Sequence, residues 1–283
     1  MNTAMKSIGV PKEVKVSEKR VSLTPMDCKK LIESDCQIYI EADAGIGAGY
    51  ENKDYSQIGC IILPTAENLY AKSDLIVKVK EPLDSDLKYL NKKHLLFCYL
   101  HLASSPSLTK FLLEQKIKSV AFETVVVDGK TPLLAPMSAI AGRLATQIGS
   151  WYLQAPHGGN GTLLGGIHNL SKGSVLVVGA GVAGAEAARL AYGMGAAVTV
   201  LDINSSRLNA LQKEMPNLTI ELSNDEVILK YCKSADILVG AVYVVGKRAP
   251  IVVTKKHIQN MPEGSVVVDI SIDQGGCIET SRP

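Results

Sequence analysis

The stretch Val175-Leu176-Val177-Val178-Gly179-Ala180-Gly181-Val182-Ala183-Gly184 decides the fold of half the chain. Four aliphatic residues in a row read as a buried strand, and the Ala-rich run after Gly184 reads as a helix. Between them the glycines stand at G-x-G-x-x-G spacing. The first permits a tight turn, the second lets backbone approach a pyrophosphate, and the third lets helix and strand pack closely. The helix N-terminus then offers N–H groups and the positive end of its dipole to phosphates. That spacing alone is a weak signal. Here a strand precedes it, a helix follows it, and Asp202 closes the next strand at the expected distance. An acid at that place accepts the ribose hydroxyls of NAD and repels the 2′-phosphate of NADP, although Arg207 just beyond leaves room for some NADP. The competing account is a glycine-rich turn with no ligand.

Working outward, strands are expected at 174–178, 197–201, 236–239 and 265–269, with a helix at 183–194. A long proline-free helix is expected at 138–153, followed by a flexible connection through His157-Gly158-Gly159-Asn160-Gly161 and Gly165-Gly166. Upstream, apolar runs at 8–10, 37–40, 74–79, 95–100 and 119–122 read as strands. Helices are expected from Thr24-Pro25 to about Ser34, with Thr24 as N-cap, and at 107–115. Strands alternating with helices imply parallel βαβ units. The expected class is α/β: two Rossmann-like domains with parallel sheets flanking a cleft. The expected division is a substrate and catalytic domain over 1–135, without a glycine fingerprint, and an NAD-binding domain over 136–283 that begins with the long linking helix.

Whole-chain properties narrow the partners. A net charge of +2 gives no electrostatic argument for nucleic acid, and three Phe and one Trp beside ten Tyr are too few aromatics for stacking platforms. The six cysteines are scattered with no C-x-x-C, which disfavours structural zinc and a thioredoxin motif, and disulfides are not expected. No metal is expected. Met1-Asn2-Thr3-Ala4-Met5-Lys6 lacks the apolar run of a signal peptide, and no run is long enough to span a bilayer. The expectation is a soluble cytoplasmic protein acting on a small molecule, with neither nucleic acid nor membrane as partner.

Four polar residues fall beyond expected strand ends, where open α/β sheets place ligands: Arg20, Lys80, His101 and Asp273. Arginine binds a carboxylate bidentately, lysine polarises a developing carbonyl, and histidine carries protons near neutral pH. Together with a carboxylate they suit redox chemistry on a small carboxylic acid. Taken singly, each has an ordinary explanation. Arg20 and Lys80 pass for solvated charges, His101 for a structural histidine, and Asp273 beside Gln274-Gly275-Gly276 for a turn residue. Lys78 and Glu81 are read as surface charges, and His94, His157, His168 and His257 are assigned no role.

Longer stretches carry a resemblance. Ile8-Gly9-Val10-Pro11-Lys12-Glu13, Arg20-Val21-Ser22-Leu23-Thr24-Pro25, Val77-Lys78-Val79-Lys80-Glu81-Pro82, Leu100-His101-Leu102-Ala103 and the run from Leu134 to Arg143 resemble alanine dehydrogenases. So do Val200-Leu201-Asp202-Ile203-Asn204 and the run from Val268 to Gly276. The resemblance implies that Arg20 and Lys80 hold the substrate and that His101 and Asp273 are the catalytic pair. It implies cofactor contacts at Ser138, Gly179, Gly181, Val182, Gly184, Asp202, Arg207, Ser223, Val242, Tyr243, Ile270, Ser271, Ile272 and Arg282. The implied reaction is reversible, NAD-dependent oxidative deamination of L-alanine to pyruvate and ammonium, in a homo-oligomer of the hexameric kind. The implied mechanism has the two domains closing over the substrate and the cofactor.

Members of that family continue for about a quarter more chain, with an Asn-Met-Pro-containing loop and closing helices. The expectation is therefore that these 283 residues bind NAD and turn alanine over poorly or not at all. Two rivals stand beside this reading. One is the NAD-binding first domain of proton-translocating transhydrogenase, and the other is a non-catalytic NAD-binding remnant.

Overall fold

The computed structural model describes residues 7–282, so the reading of Met1 to Lys6 lies outside the described residues. The chain divides into two compact units between Val125 and Val126.

The first unit alternates strand and helix: β1 (Ser7–Val10), α1 (Pro25–Ile32), β2 (Gln37–Glu41), α2 (Asn52–Ser56), β3 (Ile61–Leu63), α3 (Ala66–Lys72), β4 (Leu75–Val77), α4 (Asp84–Leu87), β5 (Leu95–Cys98), α5 (Pro106–Glu114) and β6 (Lys118–Ala121). Its six strands pair in the order β3-β2-β1-β4-β5-β6, all parallel. Thr24 caps α1 as expected: its hydroxyl accepts from Asp27 N–H at 3.3 Å, Asp27 returns the bond to Thr24 N–H at 3.1 Å, and Pro25 opens the first turn. Because side chains alternate across a strand, the sheet buries two faces. Ile76, Leu96 and Cys98 pack with α3 and α5, and Val10, Ile38 and Ile40 pack with α1 and α2. The chain order reverses between β1 and β4, which makes the gap beyond their carboxyl ends the natural ligand crevice of this sheet.

The second unit opens with α6 (Ala135–Tyr152). It continues through β7 (Ser174–Val178), α7 (Val182–Gly193), β8 (Ala197–Asp202), α8 (Ser205–Glu214), β9 (Thr219–Leu222), α9 (Asp225–Cys232), β10 (Ile237–Gly240), α10 (Lys255–Gln259) and β11 (Val266–Asp269). The parallel order is β11-β10-β7-β8-β9, so this sheet reverses between β7 and β10. Val175 and Val177 face one core with α6 and α7, while Leu176 and Val178 face the other with α9. Helices α6 and α7 lie close because Gly142 faces the α7 backbone: a Cβ there would stand 2.0 Å from Ala183 O. Thr146 adds a hydroxyl bond to Ala187 O at 2.9 Å.

The glycine-rich segment after α6 departs from the flexible connection expected. Asn160 N–H donates to Gly264 O at 3.0 Å, its side-chain amide reaches Asp236 at 2.8 Å, and Leu164 is buried. Gly159 sits so close to Leu153 that a Cβ would clash with its backbone, so the glycine serves packing. The sequence reading names none of β3, α2, α3, α4, α8, β9, α9 and α10. All but the ten-residue α8 span eight residues or fewer and take their stability from tertiary contact.

Candidate functional site

In the first unit, Arg20, Lys80 and His101 follow β1, β4 and β5, three neighbouring strands flanking the chain reversal. Each is held by an acidic residue the sequence did not single out. Glu18 binds Arg20 side-on: Nε donates to Oε1 at 2.8 Å and Nη2 to Oε2 at 2.6 Å, which fixes the plane of the guanidinium. The bond to Arg20 holds the Glu18 carboxyl below the ordinary carboxylate value, against burial, and Lys80 lowers it further.

Lys80 lies three residues beyond β4 and is half-buried. The backbone leading to it is gripped from the segment after β1, where Glu13 Oε1 accepts the N–H of Val79 at 2.6 Å. The other Glu13 oxygen lies 3.6 Å from Lys78 Nζ, which stands 3.3 Å from Asp86 Oδ2, and Tyr70 donates to Asp86 Oδ1 at 3.3 Å. Lys78 is therefore no surface charge: its side chain is 0% exposed, and it neutralises two buried carboxylates. Burial pushes the Glu13 carboxyl above its ordinary value, with Lys78 pulling the other way. Glu81 is likewise not on the open surface. Its side chain is mostly buried and pairs with Lys15. Burial raises its carboxyl, but Lys15, its own N–H and His101 together bring it below the ordinary value.

His101 sits past β5 in the left-handed region, at φ 48° and ψ 38°. Its N–H donates to Glu123 Oε1 at 2.7 Å, and Leu100 N–H meets both Glu123 oxygens at 3.2 Å. The ring stacks on Tyr99, centroids 6.0 Å apart and planes 15° apart, and Tyr99 packs edge-on against Phe122 at 5.1 Å. Tyr99 also feels Arg20, whose cation opposes the upward push of burial on the phenol. His94 and His257 are buried helpers of local turns: His94 Nδ1 accepts from Asn91 N–H and His257 Nδ1 from Thr254 N–H.

In the second unit the glycine loop joins β7 to α7, and its three glycines separate by cause. Gly179 has φ +107°, and a Cβ would come 2.5 Å from Ala241 O. At Gly184 a Cβ would lie 1.7 Å from Gly179 O. Gly181 has an ordinary φ of −68°, and a Cβ there would meet no atom within 4 Å. The protein's own packing accounts for the first and third glycines. The second keeps open a place beside the N-terminus of α7, where Val182 begins the helix half-exposed. That space suits the pyrophosphate of a dinucleotide.

Asp202 ends β8, buried to 7% exposure, with Oδ2 accepting Ala180 N–H at 2.6 Å and Oδ1 accepting Asn204 N–H at 2.8 Å. It thus ties the glycine loop to the start of α8 while each oxygen retains a second lone pair. Arg207 Nη1 stands 4.0 Å from Asp202 Oδ2. Ser223 follows β9 and donates its N–H to Asp202 O at 3.0 Å. Val242 and Tyr243 follow β10, and Val242 O accepts the Ser271 hydroxyl at 2.7 Å. The turn after β11 carries Ile270, Ser271, Ile272 and an exposed Asp273. It is organised by Asp269, whose Oδ2 accepts the N–H groups of Cys277 and Ile278 at 3.0 Å and the Ser281 hydroxyl at 2.6 Å. Ser138 is half-buried in the first turn of α6, and Arg282 is exposed, donating to Glu279 O and Ser281 O. Gly179, Gly181, Gly184, Asp202, Ser223, Val242, Tyr243 and the turn carrying Asp273 all gather at the carboxyl edge of the second sheet.

Of the acids missed by sequence reasoning, Asp269 and Glu123 carried a local signal, each as a charge closing an apolar run, Val266-Val267-Val268 and Val120-Ala121-Phe122. Among the described residues no group of three or more His, Cys, Asp or Glu could hold a metal ion, and no helix is long and apolar enough to cross a membrane.

Residues 9–141 match the family described as alanine dehydrogenase/PNT, N-terminal domain, and residues 145–283 match alanine dehydrogenase/PNT, C-terminal domain. The chain belongs to the alanine dehydrogenase/PNT family. Within this family it is 45% identical to the alanine dehydrogenase of Methanococcus maripaludis, over 96% of this chain and 74% of that one. It is 42% identical to the alanine dehydrogenase of Bacillus subtilis strain 168, over 96% of this chain and 72% of that one. A solved L-alanine dehydrogenase superposes with a TM-score of 0.87 at 44% identity, covering 98% of this chain and 77% of that one. A transhydrogenase from Sinorhizobium meliloti superposes at 0.77 with 22% identity, over 97% of this chain and 81% of that one, a likeness of fold.

Proposed function

We propose that this chain oxidatively deaminates L-alanine with NAD, giving pyruvate, ammonium and NADH, and runs the reaction in reverse as well. The observation that carries this reading is the grouping of Arg20, Lys80 and His101 beyond three neighbouring strands in a chain 42–45% identical to alanine dehydrogenases. Gly181, whose lack of a side chain no packing explains, supports a dinucleotide beside α7. Gly179, Gly181, Val182 and Gly184 would hold the pyrophosphate. Asp202, with Arg207 and Ser223 beside it, would hold the adenosine ribose. Ser138, Val242, Tyr243, Ile270, Ser271, Ile272 and Arg282 complete the proposed contacts. NAD bound there supplies a hydride acceptor.

In this reading Arg20, its plane set by Glu18, receives the substrate carboxylate. Lys80 stabilises negative charge that develops on the carbonyl side of the reaction. His101 takes and returns protons as water adds to the substrate iminium and ammonium leaves. Asp273 orients that water or relays a proton. The protein works in the cytoplasm as a homo-oligomer of the hexameric kind. Self-association is supported by the exposed apolar stripe Ile140, Leu144, Ile148 and Trp151 on α6.

The test is alanine-dependent NAD reduction by the purified protein, with His101→Ala and Asp273→Ala beside it. Turnover that falls on the order of 10²–10⁴-fold in either variant supports the assignment. Absent turnover in the unmutated protein, or unchanged turnover in His101→Ala, overturns it.

A further inference from the structure

His101 cannot reach its place by strand geometry alone. The strand β5 ends at Cys98, Tyr99 and Leu100 stay buried, and the chain then bends through a left-handed residue that is not glycine. A buried turn leaves backbone N–H groups without ladder partners. Here the N–H groups of Leu100 and His101 both point at Glu123, which is 5% exposed in the turn Phe122–Thr124 after β6. A carboxylate removed from water is unfavourable unless its oxygens are well met. Two consecutive N–H donors meet them, and the same bonds hold the left-handed residue. The neighbouring residue completes a bracket. Phe122 packs edge-on against Tyr99, and the Tyr99 ring stacks on the His101 ring. Backbone and ring of His101 are thus both set from the turn after β6.

We propose that Glu123 is a positioning residue for His101: by accepting the N–H groups of Leu100 and His101 it holds the turn that presents the imidazole. The proposal rests on the reading of His101 as proton carrier. Glu123 itself acts through the backbone, so its loss should slow proton handling and spare the binding of carboxylate at Arg20 and of NAD in the other unit. Glu123→Gln keeps the volume and one acceptor but turns an NH₂ group toward an N–H donor. Glu123→Asp keeps the charge with a shorter reach.

The experiment combines imidazole NMR with kinetics. The protein has five histidines, and His101→Ala assigns the resonance of that ring. In Glu123→Gln the His101 ring should leave the face of Tyr99 and its resonance should move or broaden, while those of His157 and His168 stay. With alanine, kcat should fall roughly ten- to hundredfold with KM for alanine within about threefold. Glu123→Asp should recover part of the loss. In a His101→Ala background, Glu123→Gln should lower kcat no further, which a merely structural role would not give. If Glu123→Gln does not fold, the same NMR and kinetic comparisons are read on Glu123→Asp, with smaller changes of the same kind expected. An unmoved His101 resonance or an unchanged kcat overturns the proposal. So does an additive loss in the double variant. The resonance reports on positioning even if the reaction is another one, and His101→Ala reports on the reaction reading by itself.

Discussion

Alanine at Gly181 and alanine at Gly184 should fail in opposite ways. At Gly181 the φ of −68° suits any residue, and the added methyl meets no atom within 4 Å. Two small folding terms oppose each other there. Alanine is a poorer N-cap than glycine by about 0.5–1 kcal/mol. It also restricts the unfolded chain, a gain of about 0.4–1 kcal/mol. The sum lies within about 1 kcal/mol of zero, a Tm change of no more than about 4 °C for a domain of this size. The methyl projects into the space assigned to the pyrophosphate. Displacing it by one or two charge-assisted hydrogen bonds, at about 1.5–3 kcal/mol each, weakens NAD binding about a hundredfold. At Gly184 the methyl would stand 1.7 Å from Gly179 O, so α7 must lift off β7 before the chain can fold. Overpacking of that kind removes about 1–3 kcal/mol or more. The assay is thermal unfolding with and without NAD, backed by calorimetric titration. At an NAD concentration a hundredfold above the unmutated Kd, ligand adds about 2.7 kcal/mol to the unmutated protein. It should add about 0.4 kcal/mol to Gly181→Ala. Full NAD stabilisation of Gly181→Ala would show that the open space is not the phosphate site. A collapse of Gly181→Ala equal to that of Gly184→Ala would refute the packing argument.

Three further outcomes are expected. Titration should give tighter binding of NAD than of NADP, and Asp202→Ala should narrow the gap; it should also lower Tm, because the carboxylate holds Ala180 N–H and Asn204 N–H. Arg20→Lys retains charge but loses the planar fork that meets both Glu18 and a carboxylate, so KM for alanine and pyruvate should rise while NAD affinity stays, and an unchanged KM would return Arg20 to the surface. Lys78→Met leaves Glu13 and Asp86 buried without their cation and should remove about 3–5 kcal/mol at pH 7, read from denaturant midpoints. Its pH dependence has a definite sign. Burial raises the folded Glu13 carboxyl above its ordinary 4.5, so folding favours the protonated form, and stability is lost as pH rises from 4.5 through the folded value. Removing Lys78 enlarges that shift, so the variant should regain stability on mild acidification more than the unmutated protein does.

Local chemistry reached far into this protein. The glycine spacing before an Ala-rich helix, Asp202 at a strand end, and the alternation of apolar runs with helical patterns are features of a few consecutive residues. They were legible because strand, turn and helix each impose a short period on the chain. Arg20, Lys80, His101 and Asp273 were legible as residue types beyond strand ends. What holds them was not. Glu13 lies in contact with backbone 66 positions away, and Glu123 with backbone 22 and 23 positions away. Lys78 and Lys80 look alike in sequence, two residues apart, yet Lys78 is sealed between Glu13 and Asp86 while Lys80 is half-buried beyond the strand. A buried carboxylate and a solvated one have the same letter. Only the parallel sheet, by setting β1 beside β4 and β6 beside β5, brings each acid to the N–H groups and cations that make its burial favourable. The sequence named the candidate groups for the chemistry; the tertiary structure alone decided which acids hold them in place.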